Sequence, residues 1–534
     1  MTAARTRPRV SRARAWSVPG RPDLVLWATV AAVFAAYTAI SVSRYVQDNP
    51  ASWDLGIFVE AVRQYAHLHA PVVAIRGAGF DLRGDHFHPA LALLGPVFAV
   101  VATPVTLLVA QAALTAASVI PVTRAAVALL GAASGRLIGA AYGFSWGLAS
   151  MNWYDFHEVA IAVPLLAGSL SALARRKMAA AALWALPLVF VKEDQGCTVA
   201  AVGLVMMFAY RPVPRWTRIT GALLAGWGLA WSFAAIYLII PMFNASHQYP
   251  YWNKGAHLAG IAGSLAAGAA VKLPTLALLL VPTVAVALRS PLVIVAVPGL
   301  ALRFVSPDTS YWGTSWHYNA TAMPVMFVAA VDGLARIRAA RAARAAGPAT
   351  AGEPGGESGV MGGSAGSLAG PAAGPMPARA AVWSADGGQD RVAGGVAGWL
   401  TAQARVLGGL FERHAAAMMG AVAIAVAFQS PLHDLWSPQT YQVSRHARVA
   451  DAAMRLVPAG STVEASLDEL APLAARDDTY WVGNRNPPPA WVVFDQQSPE
   501  WSISDVPTFI NARHAGVSYR VVSEQDGVWV MRRN

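Results

Sequence analysis

The sequence predicts a mainly α-helical, polytopic transmembrane protein with a small α/β domain at its C-terminal end. Three observations carry that prediction. The 534 residues are 55% hydrophobic and only 13% charged, and the mean hydropathy is +0.43, a balance suited to a chain embedded in lipid. Apolar runs such as LVLWATVAAVFAAYTAI approach the roughly 20 residues that cross a bilayer. They do not alternate as barrel strands would, which leaves helices as the spanning form. Beyond residue 430 the composition returns to that of a soluble domain.

The elements follow in order. Residues 1–22 form a basic N-terminus, and the long run after it has no small-residue cleavage site, so it reads as an uncleaved first helix. Crossings are expected near 24–43, 104–130, 135–152, 157–173, 178–192, 196–210, 219–241, 262–288, 291–305, 317–335 and 412–429, about eleven in all. The stretch 89–103 contains Pro89 and Pro96, and Pro104 follows it; the segment can dip into the interface or cross. Clusters of Lys and Arg decide the parity. The N-terminal arginines, ARRK at 174–177, RPVPRWTR at 211–218 and GLARIRAARAAR at 333–344 all fall in the cytoplasm when 89–103 does not span. The core is then 23–344, with an outer loop 44–88. Residues 345–397 are a Gly/Ala/Ser/Pro-rich cytoplasmic linker expected to be disordered, 398–430 holds the last membrane helix, and 431–534 is extracytoplasmic. In that domain TVEAS, AWVVFD, YRVVSE and VWVMRR read as strands, the last two joined at Gln525-Asp526-Gly527. Helices are expected at 443–456 and 468–475.

The formal charge of +11 lies beside the hydrophobic segments, so topology accounts for it and no nucleic-acid partner is implied. One cysteine, Cys197, excludes an internal disulfide and leaves no thiolate metal cluster.

The same parity places four separated polar regions on one face: loop 44–88, which carries two motifs, YDFHE, VKEDQG and SPDTSYWGTSWHY. Carboxylates near a membrane are costly unless hydrated, paired or bound to a cation. WDLGIF at 53–58 presents Asp54 at a helix start, either as a simple cap or as a general base for an acceptor hydroxyl. GDHFHP at 84–89 gathers Asp85, His86 and His88, a possible shell for a divalent cation such as Mg2+ or Mn2+ without the spacing of a specific zinc motif. YDFHE supplies Asp155, His157 and Glu158, which are either hydrated loop residues or ligands for a phosphate, a cation or a hydroxyl. VKEDQG supplies Lys192, Glu193 and Asp194, either a self-neutralising ion pair or a phosphate contact backed by acids. In SPDTSYWGTSWHY, Trp312, His317 and Tyr318 either mark the membrane interface or form a stacking wall for substrate.

Together WDLGIF, GDHFHPALALLGP, Gln111 in LLVAQAAL, YDFHE, VKEDQG and SWHYNATAMPV resemble the membrane-protein family called domain of unknown function 2079. The likeness covers nearly the whole chain except the basic N-terminus and 345–397. That family resembles the GT-C class of multispanning glycosyltransferases, and the resemblance implies a lipid-linked sugar donor on a polyprenyl phosphate and a cell-envelope glycan, lipid or protein as acceptor. It gives the role of catalytic base or metal contact to Asp54 first and Asp85 second. The Asp-Asp or Asp-Glu pair of many such enzymes is absent from ASWDLGIF, so other outer acids would have to complete the site. The expectation is an inverting transferase in the cell membrane, in contact with membrane lipids. A transporter or flippase of an envelope precursor and a noncatalytic envelope-assembly protein are the rival readings.

Overall fold

The computed structural model describes residues 23–48, 52–210, 212–251, 261–345, 414–498 and 500–534. The basic N-terminus, the linker and residues 398–413 lie outside the described residues.

The chain is a multi-pass helical membrane protein, yet three described helices, not eleven, are both long and apolar enough to cross a bilayer: Leu24–Val46, Pro104–Leu130 and Arg215–Phe243. Proline interrupts three of the other expected crossings. The run 178–192 is a helix Met178–Ala185 that tightens at Pro187 into a 3-10 segment Leu186–Phe190. The run 262–288 is divided into Ile261–Ala266 and Ala269–Leu280, then breaks after Pro282, where Val284 and Ala285 take positive φ. Residues 291–305 start as a 3-10 segment and become α-helical only at Val297–Val305. Proline lacks the amide hydrogen and crowds the preceding turn, so the apolar run persists while the regular helix does not. The ambiguous segment 89–103 is a 3-10 turn Pro89–Leu94 followed by Gly95–Val100. At ~1.5–2 Å per residue it falls short of a bilayer core of ~30 Å.

The main core joins Pro104–Leu130, Val159–Ala174 and Ala322–Ala345, all rich in fully buried Ala, Val and Leu. In its most apolar window the first helix is only 28% buried against 56% for Pro104–Leu130, so it lines the rim and leaves Leu24, Val25, Trp27 and Phe34 facing outward. Helices Gln195–Phe208 and Arg215–Ala234 approach backbone to backbone at the facing pairs Gly196/Gly228 and Gly203/Gly221; a Cβ on Gly221 would fall 2.6 Å from the Gly203 carbonyl oxygen. Small residues permit such crossings where both surfaces are apolar and close packing supplies the attraction.

The C-terminal domain contains a five-stranded sheet: β1 Thr462–Ala465, β2 Asp478–Trp481, β3 Trp491–Asp495, β4 Tyr519–Gln525 and β5 Val528–Arg533. The strand order is β2-β1-β3-β5-β4, parallel across β2, β1 and β3 and antiparallel across β3, β5 and β4. Asp526 and Gly527 both take positive φ, the conformation a tight hairpin requires. Strand β2 and the helix Val506–Arg513 were not expected: DTYW is short, and VPTFINAR has no clear apolar stripe.

This domain is not a separate body hung from the last helix. The helix Asp54–Ala66 shares one hydrophobic cluster with it: Leu55, Phe58, Val59 and Val62 pack with Val463, Leu470, Leu473 and Val493. Gly56 makes the close contact possible, since a Cβ there would lie 2.9 Å from Ile75 Cδ1 and 3.2 Å from Leu470 Cβ. Arg63 reaches Asp478 at 2.8 Å, Asn484 donates to the Ile75 carbonyl at 2.8 Å, and Trp53 meets Trp481 edge-to-face at 4.9 Å.

Candidate active site

A cavity of about 510 Å³ lies where the loops carrying the polar clusters meet. The YDFHE turn forms one wall. Gln111, fully buried in Pro104–Leu130, fixes that turn with its amide: Nε2 donates to the carbonyls of Met151 and Asp155 at 3.1 and 3.0 Å, and Oε1 accepts from the His157 amide at 3.0 Å. A buried amide with three good bonds dictates backbone conformation strongly. Asp155 accepts from the Ser52 amide and hydroxyl at 2.9 and 3.2 Å, which ties the turn to the start of the WDLGIF helix. Across that junction Tyr154 donates its hydroxyl to Asp54 Oδ2 at 3.0 Å.

Behind the wall is a buried charge chain. Glu158, 1% exposed, lies 2.6 Å from His157 Nδ1 and 2.9 Å from Lys192 Nζ. Burial pushes its carboxyl up, but His157 and Lys192 outweigh that and hold it well below the ordinary value. Burial likewise opposes the Lys192 charge, while Glu158, Glu193 and Asp194 hold its pKa well above the usual lysine value. An ammonium has three donors; one meets Glu158, and Lys192 also faces the cavity. The rings of His157 and His317 stack at 3.4 Å. Burial, then the charges of His157 and Lys192, depresses His317 far below its ordinary value, so it is neutral near pH 7. Its Nδ1 is buried with no hydrogen-bond partner among the described residues.

A second pair closes another side. His86 Nδ1 lies 2.7 Å from Glu193 Oε1, and the Phe87 amide donates to Oε2 at 3.1 Å. Burial pushes Glu193 up, but His86 overcomes it and brings the carboxyl to about 2. Burial lowers His86 while Glu193 raises it further, leaving its pKa above the ordinary value. Ser232 anchors the Glu193 carbonyl at 2.5 Å, so the glycine-packed helix pair sets the height of this loop.

The structure therefore gathers Asp54, His86, His157, Lys192, Glu193, Asp194, His317 and Tyr318 on one cavity. Other expected residues stand behind it or elsewhere. Asp155 and Glu158 brace the turn. Asp85 is buried against Arg76 at 3.4 Å and accepts from Tyr251 at 2.8 Å. Trp312 is packed beneath Lys272, whose Nζ lies 3.9 Å above the ring, and its indole donates to the Ser306 carbonyl at 2.9 Å; it braces a loop and does not line the cavity. The expected cation shell at Asp85, His86 and His88 is not assembled. Asp85 goes to Arg76, His86 goes to Glu193, and His88 is buried beside Phe58 with its pKa lowered by burial to about 4. The acidic group that does converge among the described residues is Asp48, Glu469 and Asp495, which sequence reasoning passed over because 421 positions separate the first two.

Sequence reasoning also missed Tyr249, Tyr251 and Arg303, which complete the cavity wall. Tyr251 stacks on His86 at 4.6 Å. Arg303 spends its guanidinium on the carbonyls of Tyr311, Gly313 and Tyr318 at 2.9, 3.2 and 3.1 Å, holding the SYWGTSWHY loop against the cavity. A lone arginine in VPGLALRFV and the aromatic HQYPYW after a crossing were the available signals.

A polytopic helical bundle, a cavity at its loop ends and a small α/β domain packed on the first long loop define a membrane protein of GT-C-like fold. Residues 44–347 match the family model described as Predicted membrane protein (DUF2079), and the chain belongs to that family. No curated protein matches the sequence. Among solved structures, ArnT from Cupriavidus metallidurans bound to undecaprenyl phosphate aligns with a TM-score of 0.51 at 15% identity, covering 95% of this chain and 97% of that one. ArnT of the same organism in the apo state aligns at 0.47 and 14% identity, covering 93% and 97%. At such identity the likeness is one of fold.

Proposed function

We propose that this protein is a membrane glycosyltransferase that moves a sugar from a polyprenyl-phosphate carrier to a cell-envelope acceptor, working at the outer face of the membrane. The observation that carries the reading is a single cavity holding the Asp54 carboxylate and the Lys192 ammonium beside an apolar flank of Leu166, Ile236, Val295, Leu300 and Val325. An isoprenoid tail suits that flank, and a phosphate suits Lys192 and the neutral His317. The undecaprenyl phosphate bound by ArnT on a similar fold agrees with it.

In this mechanism Asp54 accepts the proton of the acceptor hydroxyl, whose oxygen forms the bond to the anomeric carbon. The bond from that carbon to the phosphate oxygen breaks, and the electron pair leaves with the lipid phosphate. Lys192 balances the charge that develops there. Tyr154 donates to Asp54 and keeps the carboxylate turned toward the acceptor. One displacement of this kind inverts the anomeric centre. Tyr311 and Tyr318, edge-to-face at 4.9 Å, offer ring faces to the sugar. Asp85, paired with Arg76, supports the loop.

The test is transfer by purified protein from polyprenyl-phosphate sugars, followed for wild type and Asp54→Asn. General-base loss lowers the rate ~10²–10⁴-fold, with substrate binding retained. Product formed at the wild-type rate by Asp54→Asn would remove Asp54 from the chemistry. Movement of the intact lipid-linked sugar across the bilayer without transfer would favour a flippase.

A further inference from the structure

We propose that Asp48, Glu469 and Asp495 hold a hard divalent cation of the calcium class, which fastens the C-terminal domain to the end of the first membrane helix. The three acids come from three elements. Asp48 lies two residues beyond Leu24–Val46, Glu469 is in the first turn of the helix Leu467–Ala474, and Asp495 ends β3. Each offers one oxygen, and these oxygens all lie within 4.8 Å of one another. Two ligands on opposite sides of a calcium ion, each at ~2.4 Å, stand about that far apart.

A second observation points to a missing partner. Glu469 is fully buried; its Oε2 accepts from the Ser466 hydroxyl at 2.6 Å, while Oε1 is buried with no hydrogen-bond partner among the described residues, as is Asp48 Oδ2. Among the described residues no lysine or arginine bridges to any of the three acids, and the one basic contact is His446 Nε2 to Asp495 Oδ2 at 2.8 Å. Three carboxylates this close repel one another, and an orphaned buried carboxylate oxygen is costly. A cation relieves both penalties.

The surroundings brace the ligands as outer contacts of a metal site do. The Ser466 hydroxyl donates to Glu469 and accepts from the Asp495 amide at 2.7 Å. Asp495 Oδ1 accepts from the Gln497 amide at 2.8 Å. An all-carboxylate set favours a hard cation over a transition metal. The helix that bears Glu469 is the one whose Leu470 and Ala471 pack on Gly56, so the ion would secure the support on which the Asp54 helix rests.

The experiment uses the full-length protein in detergent, stripped with EDTA and titrated with CaCl2, with MgCl2 in parallel. Bound metal per chain is measured by mass spectrometry, and the unfolding midpoint Tm by thermal scan. Wild type should bind about one calcium per chain and gain several degrees in Tm, because a ligand that binds only the folded state stabilises it. Glu469→Gln keeps the bond to Ser466 and should weaken calcium binding at least ~100-fold, with the Tm gain lost. Its calcium-free Tm should equal or exceed that of stripped wild type, since one repelling charge is gone; a folding defect would lower it. Asp48→Asn repeats the comparison from the membrane side. Absence of a calcium-dependent Tm shift in wild type, retention of the shift in both variants, or a response to magnesium alone would overturn the assignment.

Discussion

At the residue scale the cavity depends on charges that are buried in pairs, and breaking a pair is worse than replacing it. Removing Lys192 leaves Glu158, 1% exposed, with one partner fewer in a setting where such losses cost ~3–5 kcal/mol. Lys192→Met should therefore lower Tm markedly, and adding Glu158→Gln should recover part of the loss, so the double variant falls short of the sum of the singles. Thermal scans of the three variants check this. The His86–Glu193 pair gives a pH signature. Glu193 is lowered from an ordinary 4.5 to about 2, so its contribution is fully present above 4.5 and disappears as pH falls toward 2. His86 is raised above 6.5, so its contribution is present below 6.5 and lost as pH climbs through the raised value. Stability from the pair is greatest between those limits. A Tm–pH profile of His86→Gln should lose the alkaline decline that this histidine causes; an unchanged profile would assign the decline to other groups.

At the element scale, glycine contacts set how helices lie. Gly221→Val should push the Gly203 strip away and shift the loop that carries Lys192, Glu193 and Asp194, at an overpacking cost of ~1–3 kcal/mol. Gly56→Val should loosen the C-terminal domain from the Asp54 helix, seen as faster proteolysis of residues 431–534 with the membrane bundle intact. Composition and the charge rule made the apolar runs legible, along with four strands and the meeting of the WDLGIF, HFH, FHE, KED and HY segments. Hydropathy averages over a run and says little about whether its backbone stays regular, so Pro187, Pro282 and Pro298 turned expected crossings into broken helices. Individual side chains were harder to read than segments. Asp85 and His86 are adjacent, yet one turns to Arg76 and the other to Glu193, because partners 9 and 107 positions away choose between them.

At the scale of the whole molecule, loop 52–88 and residues 431–534 share one core and so must lie on the same side of the membrane. Cysteines placed at Leu68 and Leu456, 94% and 46% exposed, in a Cys197→Ser background should react with an impermeant maleimide from the same side. The charge rule predicts the outer side; labelling from opposite sides would break the shared core. That core also orders events in time. Arg63 and Asp478 are 415 residues apart, so during synthesis the helix bearing Asp54 emerges with its apolar face bare and stays bare until residues 463–493 have been made. Closing so long a loop is slow, and the bare face is open to aggregation meanwhile. A chain cut short before β1 would keep its membrane helices but present Leu55, Val59 and Val62 to water, a signal that proteolytic surveillance can recognise. Residues 462–495 thus report whether the helix that carries Asp54 has found its cover.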